Sequence, residues 1–101
     1  MSNFTVRVAL HGASADDYDL LHERMEAARY NRFIWGQNEY GDGYWCLPPA
    51  EYDHTADADV IDIREQVLRI ANSVRPGSWV LVTEAASRAW STEPLNFRKA
   101  A

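Results

Sequence analysis

Three histidines, one cysteine and nine arginines carry most of the chemistry this chain could perform. His11 follows an alternating apolar segment, where a side chain can project from a sheet end as an acid or base. The plainer reading is a turn histidine bonded to a local carbonyl. His22 lies beside Leu21 at the border of an apolar helical stripe. It is a second acid–base candidate, or simply a half-packed boundary residue. Arg7, Arg24, Arg29 and Arg32 could grip phosphate through the guanidinium fork, or form ordinary exposed ion pairs.

The stretch Glu51-Tyr-Asp-His54 places two carboxylates and an imidazole within four residues. Such groups suit a divalent cation. Adjacent residues seldom converge on one ion unaided, so the expectation is a solvated loop between the third strand and the second helix, with no metal and no cofactor. Cys46 sits between Trp45 and Leu47, where a small core residue fits, and a reactive thiol would need an activating base. The chain has no glycine-rich phosphate loop, no H-E-x-x-H and no nucleophile elbow.

The elements that must position these groups belong to one domain of 101 residues. The composition is 47% hydrophobic and 25% charged, which suits a folded chain. The net charge of −5 argues against strong nonspecific attraction to nucleic acid, although a local arginine patch is compatible with it. A single cysteine excludes an intrachain disulfide and a cysteine-based zinc site. Without a signal-like apolar segment or a membrane-length run, the sequence predicts a soluble cytoplasmic protein with no membrane partner.

Phe4, Val6, Val8 and Leu10 alternate with Thr5, Arg7 and Ala9, the signature of a strand buried on one side. Ser14 and Asp17 have capping-box spacing, and Tyr18, Leu21, Met25 and Ala28 continue as an amphipathic helix over 15–29. Residues 32–35 and 44–47 read as strands joined by a turn-rich loop at 36–43. Pro48-Pro49 ends regular pairing. Val60, Ile63, Val67, Ile70 or Ala71, and Val74 mark a second helix, stopped by Pro76-Gly77. Trp79–Thr83 is the last strand.

This order is βαββαβ, a ferredoxin-like α+β fold with an antiparallel sheet and two helices on one face. The domain spans 1–85, and 86–101 form a C-terminal tail. If Val80 and Val82 face the helices, Trp79 and Leu81 face away, and Trp45 or its neighbour Tyr44 must face away with them. Such a face needs a cover. A homodimer through Trp45, Trp79 and Leu81 is the preferred arrangement. The alternative is the tail, with Trp90, Leu95 and Phe97, docked or swapped onto the sheet.

Four segments, "NFTVRVALHGAS" at 3–14, "DYDLLHERMEA" at 17–27, "LPPAEY" at 47–52 and "VLVTEA" at 80–85, resemble the GhoS-like family of small bacterial proteins. Its type member is an endoribonuclease antitoxin of a type V toxin–antitoxin system. The resemblance covers roughly 1–85 and implies a ferredoxin-like fold, similar to that of small CRISPR-associated endoribonucleases, and cleavage of a specific messenger RNA. Those CRISPR-associated proteins place a metal-holding aspartate near the end of the first strand. Here Ala9-Leu10-His11-Gly12 stand in that place, so no metal site is carried over. A metal-independent cut would need a base for the ribose 2′-hydroxyl and a cation for the phosphate. His11 or His22 with Arg7 or Arg24 are the candidates. A noncatalytic dimeric module that binds protein or RNA is the main alternative. A small-molecule regulatory domain is a third.

Overall fold

The first strand, β1 (Ser2–Ala9), forms the middle of a three-stranded antiparallel sheet in the order β4-β1-β5. The computed structural model describes residues 1–38 and 41–94. Alternation along β1 sorts its side chains as the sequence requires. Phe4, Val6 and Val8 are buried, while Arg7 is exposed on the opposite face. Burying Phe4 completely contributes about 2–3 kcal/mol.

Helix α1 (Ala15–Ala27) starts at a complete capping box. The Ser14 hydroxyl accepts from Asp17 N–H at 3.2 Å, and Ser14 N–H donates to the Asp17 carboxylate at 3.1 Å. The helix ends two residues earlier than its apolar pattern suggests, and the reason is local. Arg29 takes a left-handed φ of 69°, its N–H bonds Glu26 O, and Tyr30 N–H bonds Met25 O. This is a Schellman closure made without glycine. It turns the chain so that Tyr30 enters the core.

The chain then forms a hairpin, β2 (Phe33–Asn38) and β3 (Gly41–Cys46), paired as a separate two-stranded sheet. Both strands run further into the turn-rich stretch than expected, and the turn itself, residues 39 and 40, lies outside the described residues. The larger difference is β4 (Glu51–Ala56), which occupies the stretch read from sequence as a solvated loop. It pairs along β1, with Val6 opposite Tyr52 and Phe4 opposite His54. Pro48-Pro49 ends β3 pairing and immediately reverses the chain. Glu51 N–H bonds Pro48 O, and Ala50 adopts φ 62° at the turn's third position. Proline followed by positive φ is type II turn geometry.

Helix α2 (Val60–Val74) is capped by Asp59, whose side chain accepts from Asp62 N–H. Strand β5 (Trp79–Glu84) completes the sheet beside β1. The result is a ferredoxin-like α+β fold with two helices on one face, its second strand doubled into the β2–β3 hairpin. The hairpin joins the main sheet where Asn31 and Asp53 exchange backbone hydrogen bonds of 2.9 and 2.7 Å. The core lies between helices and sheet. Leu21 and Met25 from α1 and Ile63, Val67 and Ala71 from α2 cover Phe4, Val6, Val8 and Tyr52.

Residues 85–94 run from the end of β5 to the hairpin. Ala85 N–H bonds Asn3 O. Arg88 then reaches Phe4 O, Thr5 Oγ1 and the Asp53 carboxylate, the last at 2.7 Å. Further on, Trp90 lies against Gly36 so closely that a Cβ there would fall 2.1 Å from its ring. Cys46 N–H bonds Glu93 O, and Trp45 pairs with Pro94. Trp45 is therefore not on the outer face of the three-stranded sheet, because its strand belongs to the hairpin and meets this segment. Leu95 and Phe97 lie outside the described residues. Among the described residues, no helix is long and apolar enough to cross a membrane.

Candidate functional site

Tyr18, His22 and Glu26 recur every four residues along α1, so the helix presents them on one face. Opposite them stand Arg32 and Phe33 at the start of β2, then Cys46 and the Leu47-Pro48-Pro49-Ala50 turn. Together these residues line an open groove of about 850 Å³. Its walls are mainly apolar, and its polar groups are concentrated on the α1 side and at Arg32.

The imidazole of His22 is fixed from below. Its Nδ1 lies 2.6 Å from the hydroxyl of Tyr52, a β4 residue with no exposed surface. In the Nδ1–H tautomer the ring donates to the phenol oxygen and Nε2 keeps its lone pair, the form a general base requires; in the Nε2–H tautomer the phenol donates to Nδ1 instead. Burial lowers the His22 pKa below its ordinary 6.5, and the Arg32 charge lowers it further. Asp19 and Glu26 oppose the shift. At neutral pH the uncharged ring therefore predominates. Burial also raises the Tyr52 phenol well above its ordinary value, so it stays protonated and available as a hydrogen-bonding partner.

Arg32 Nε approaches Glu26 Oε1 at 3.3 Å, with both side chains about half exposed, at 51% and 45%. An exposed pair of this kind contributes little to stability. It orients the guanidinium while leaving other N–H groups able to meet an anion. Tyr18 is anchored at the far end by Leu10, whose N–H donates to the Tyr18 hydroxyl at 3.1 Å.

The other sequence candidates are dispersed. His11 is exposed and meets Trp79 edge-on, with ring centroids 4.7 Å apart, and does not line the groove that holds His22. Arg7 projects from the outer sheet face. Arg24 ties α1 to α2 by donating to Ser73 O and Ser73 Oγ at 3.1 and 2.8 Å. Arg29 closes α1, and its carbonyl accepts from His54 Nδ1 at 2.9 Å. Of the four arginines, only Arg32 joins His22 in the groove.

The Glu51–His54 stretch divides between two faces because it is a strand. His54 stacks on Tyr30 at 3.9 Å, beside buried Tyr52, whereas Asp53 pairs with Arg88 on the outer side. The Tyr30 phenol donates to Gln66 at 2.6 Å, and burial pushes its pKa up to about 12. These are structural roles. Among the described residues, no group of three His, Cys, Asp or Glu side chains is placed to hold a metal ion.

Tyr18 and Glu26 are groove residues that sequence reasoning did not single out, although their spacing from His22 was a readable signal. Tyr52 was hidden by the reading of its segment as a loop. No family model matches the chain, and neither curated proteins nor solved structures include a significant match to it.

Proposed function

We propose that this protein is a metal-independent endoribonuclease, acting as an antitoxin of the GhoS-like kind by cleaving a specific messenger RNA. The observation that carries the reading is the placement of His22, braced at Nδ1 by Tyr52, in one groove with Arg32. A neutral imidazole and a guanidinium are the two groups that cleavage of an RNA phosphodiester needs at minimum.

In this mechanism His22 Nε2 takes the proton from a ribose 2′-hydroxyl. The 2′-oxygen attacks the adjacent phosphorus, and Arg32 balances the charge growing on the phosphoryl oxygens. The bond to the 5′-oxygen of the next nucleotide breaks, and water protonates that oxygen. The products are a 2′,3′-cyclic phosphate and a free 5′-hydroxyl. Tyr18 and Phe33 offer aromatic surface at the groove for an unpaired base. His11 has no part in this chemistry.

The competing reading is a noncatalytic dimeric binding module. Its support is the exposure of Trp79 and Leu81 on the outer sheet face, where a second copy would sit. Incubation with a mixed pool of single-stranded and structured RNA separates the two. The nuclease yields fragments with 2′,3′-cyclic phosphate ends, unchanged by EDTA. Cleavage that EDTA abolishes, or RNA bound without product, would overturn the mechanism.

A further inference from the structure

The outer face of the three-stranded sheet is divided into two halves. Arg88 lies over Thr5 and Asp53 at one end. The other end remains open. There β1 and β5 set Ala9 beside Trp79 and Arg7 beside Leu81. Trp79 is 70% exposed and Leu81 62% exposed. The methyl group of Ala9 is too small to cover the indole, and a shallow hollow of about 600 Å³ forms over Arg7, Ala9, Trp79, Val80 and Leu81. His11 braces the indole by an edge contact inclined at 76°. The Arg7 side chain has no hydrogen bond or ion pair among the described residues.

We propose that this corner is a second binding site, for an unstacked nucleotide of single-stranded RNA, with the base on Trp79 and its phosphate on Arg7. The proposal rests on RNA as the substrate of the groove and adds an anchoring point outside it. An exposed aromatic beside an arginine on an open antiparallel sheet is the usual equipment for holding single strands.

A second copy fits less well. At ordinary strand spacing and rise the open half measures roughly 10 Å by 10 Å. A stable protein interface removes about 800 Å² from each partner. Such a patch is a small part of a subunit interface, but it matches one or two nucleotides. Glu51 lies across from Arg7 on β4 and restricts the attraction to a single phosphate. Binding here should therefore show a shallow salt dependence, with a slope of about −0.7 for one single-strand phosphate contact.

The test uses a fluorescent oligouridylate of eight nucleotides and the full chain carrying His22→Asn, so that binding is read without cleavage. Adding Trp79→Ala should weaken binding about tenfold, and Trp79→Phe should restore most of it. Adding Arg7→Gln should weaken binding and flatten the salt dependence. Because Trp79 is largely exposed, these changes leave the core intact, which circular dichroism would verify. Equal affinity of the Trp79→Ala and parent proteins would overturn the site while leaving the groove reading in place. Conversion of a dimer to a monomer by Trp79→Ala, seen by sedimentation, would assign the face to a second copy and overturn it. If the parent binds no oligonucleotide and the wild type cleaves none, the site and the RNA reading fail together.

Discussion

His22 on α1 and Tyr52 on β4 are separated by 30 positions in sequence, yet their Nδ1 and hydroxyl atoms lie 2.6 Å apart. The contact crosses the helix–sheet interface and makes a surface imidazole part of the core's geometry. Tyr52→Phe removes one hydrogen bond, worth about 1 kcal/mol, and keeps the buried ring. The fold should survive. Cleavage should fall roughly ten- to a hundredfold through kcat, with KM little changed, because the base loses its orientation. An equal loss in binding would indicate a merely structural contact.

The His22 pKa is depressed in the folded protein, and this has a definite sign. Between the lowered folded value and the ordinary 6.5, the unfolded chain binds more protons than the native one. His22 therefore makes stability rise with pH across that interval and fall as the solution is acidified through it. The cleavage rate should follow the neutral imidazole, rising to a plateau whose midpoint lies below 6.5. Denaturation and rate measurements from acid to neutral pH check both statements. His22→Asn should flatten this contribution to stability.

Arg88 and Asp53 form the least exposed ion pair among the described residues for which both exposures are known, at 22% and 20%. Arg88 also holds Thr5 and the Phe4 carbonyl. Arg88→Ala should destabilise the protein by about 1–2 kcal/mol, since Asp53 is left partly buried without its partner. It should also make residues 85–94 more susceptible to proteolysis. Urea denaturation and limited proteolysis measure the two effects. Arg88→Ala combined with Asp53→Ala should cost less than the sum of the separate changes.

Arg29 ends α1 in a left-handed conformation that ordinarily favours glycine. Arg29→Gly should stabilise the protein by about 0.5–1 kcal/mol, as thermal denaturation would show. If Arg29 takes no part in RNA binding, cleavage by this variant should match the parent.

The alternation in β1, the Ser14–Asp17 cap and the apolar stripe of α2 made the fold class legible, because each is a local pattern enforced by one buried face. The Glu51–Ala56 strand was less legible. Its polar residues mask the single buried ring of Tyr52, and its partner is distant, since β1 opens the chain and α1 and the hairpin lie between them. The same masking concealed half of the candidate site. His22 could be recognised from its helical position, but its brace on β4 and its neighbour Arg32 depend on tertiary folding. Trp45 shows the converse error. Strand alternation set its direction within β3, and the pairing of β3 with β2 was readable, but not that this hairpin forms a sheet separate from β4-β1-β5.

The proposed mechanism turns on His22 as the base. His22→Asn retains a polar group near the Tyr52 hydroxyl and removes Nε2, so single-turnover cleavage of single-stranded RNA in EDTA by this variant tests it most directly. Removing the base should lower the rate at least a hundredfold with the folded structure retained, about the contribution of a general base. Cleavage by a folded His22→Asn protein at the wild-type rate would contradict it.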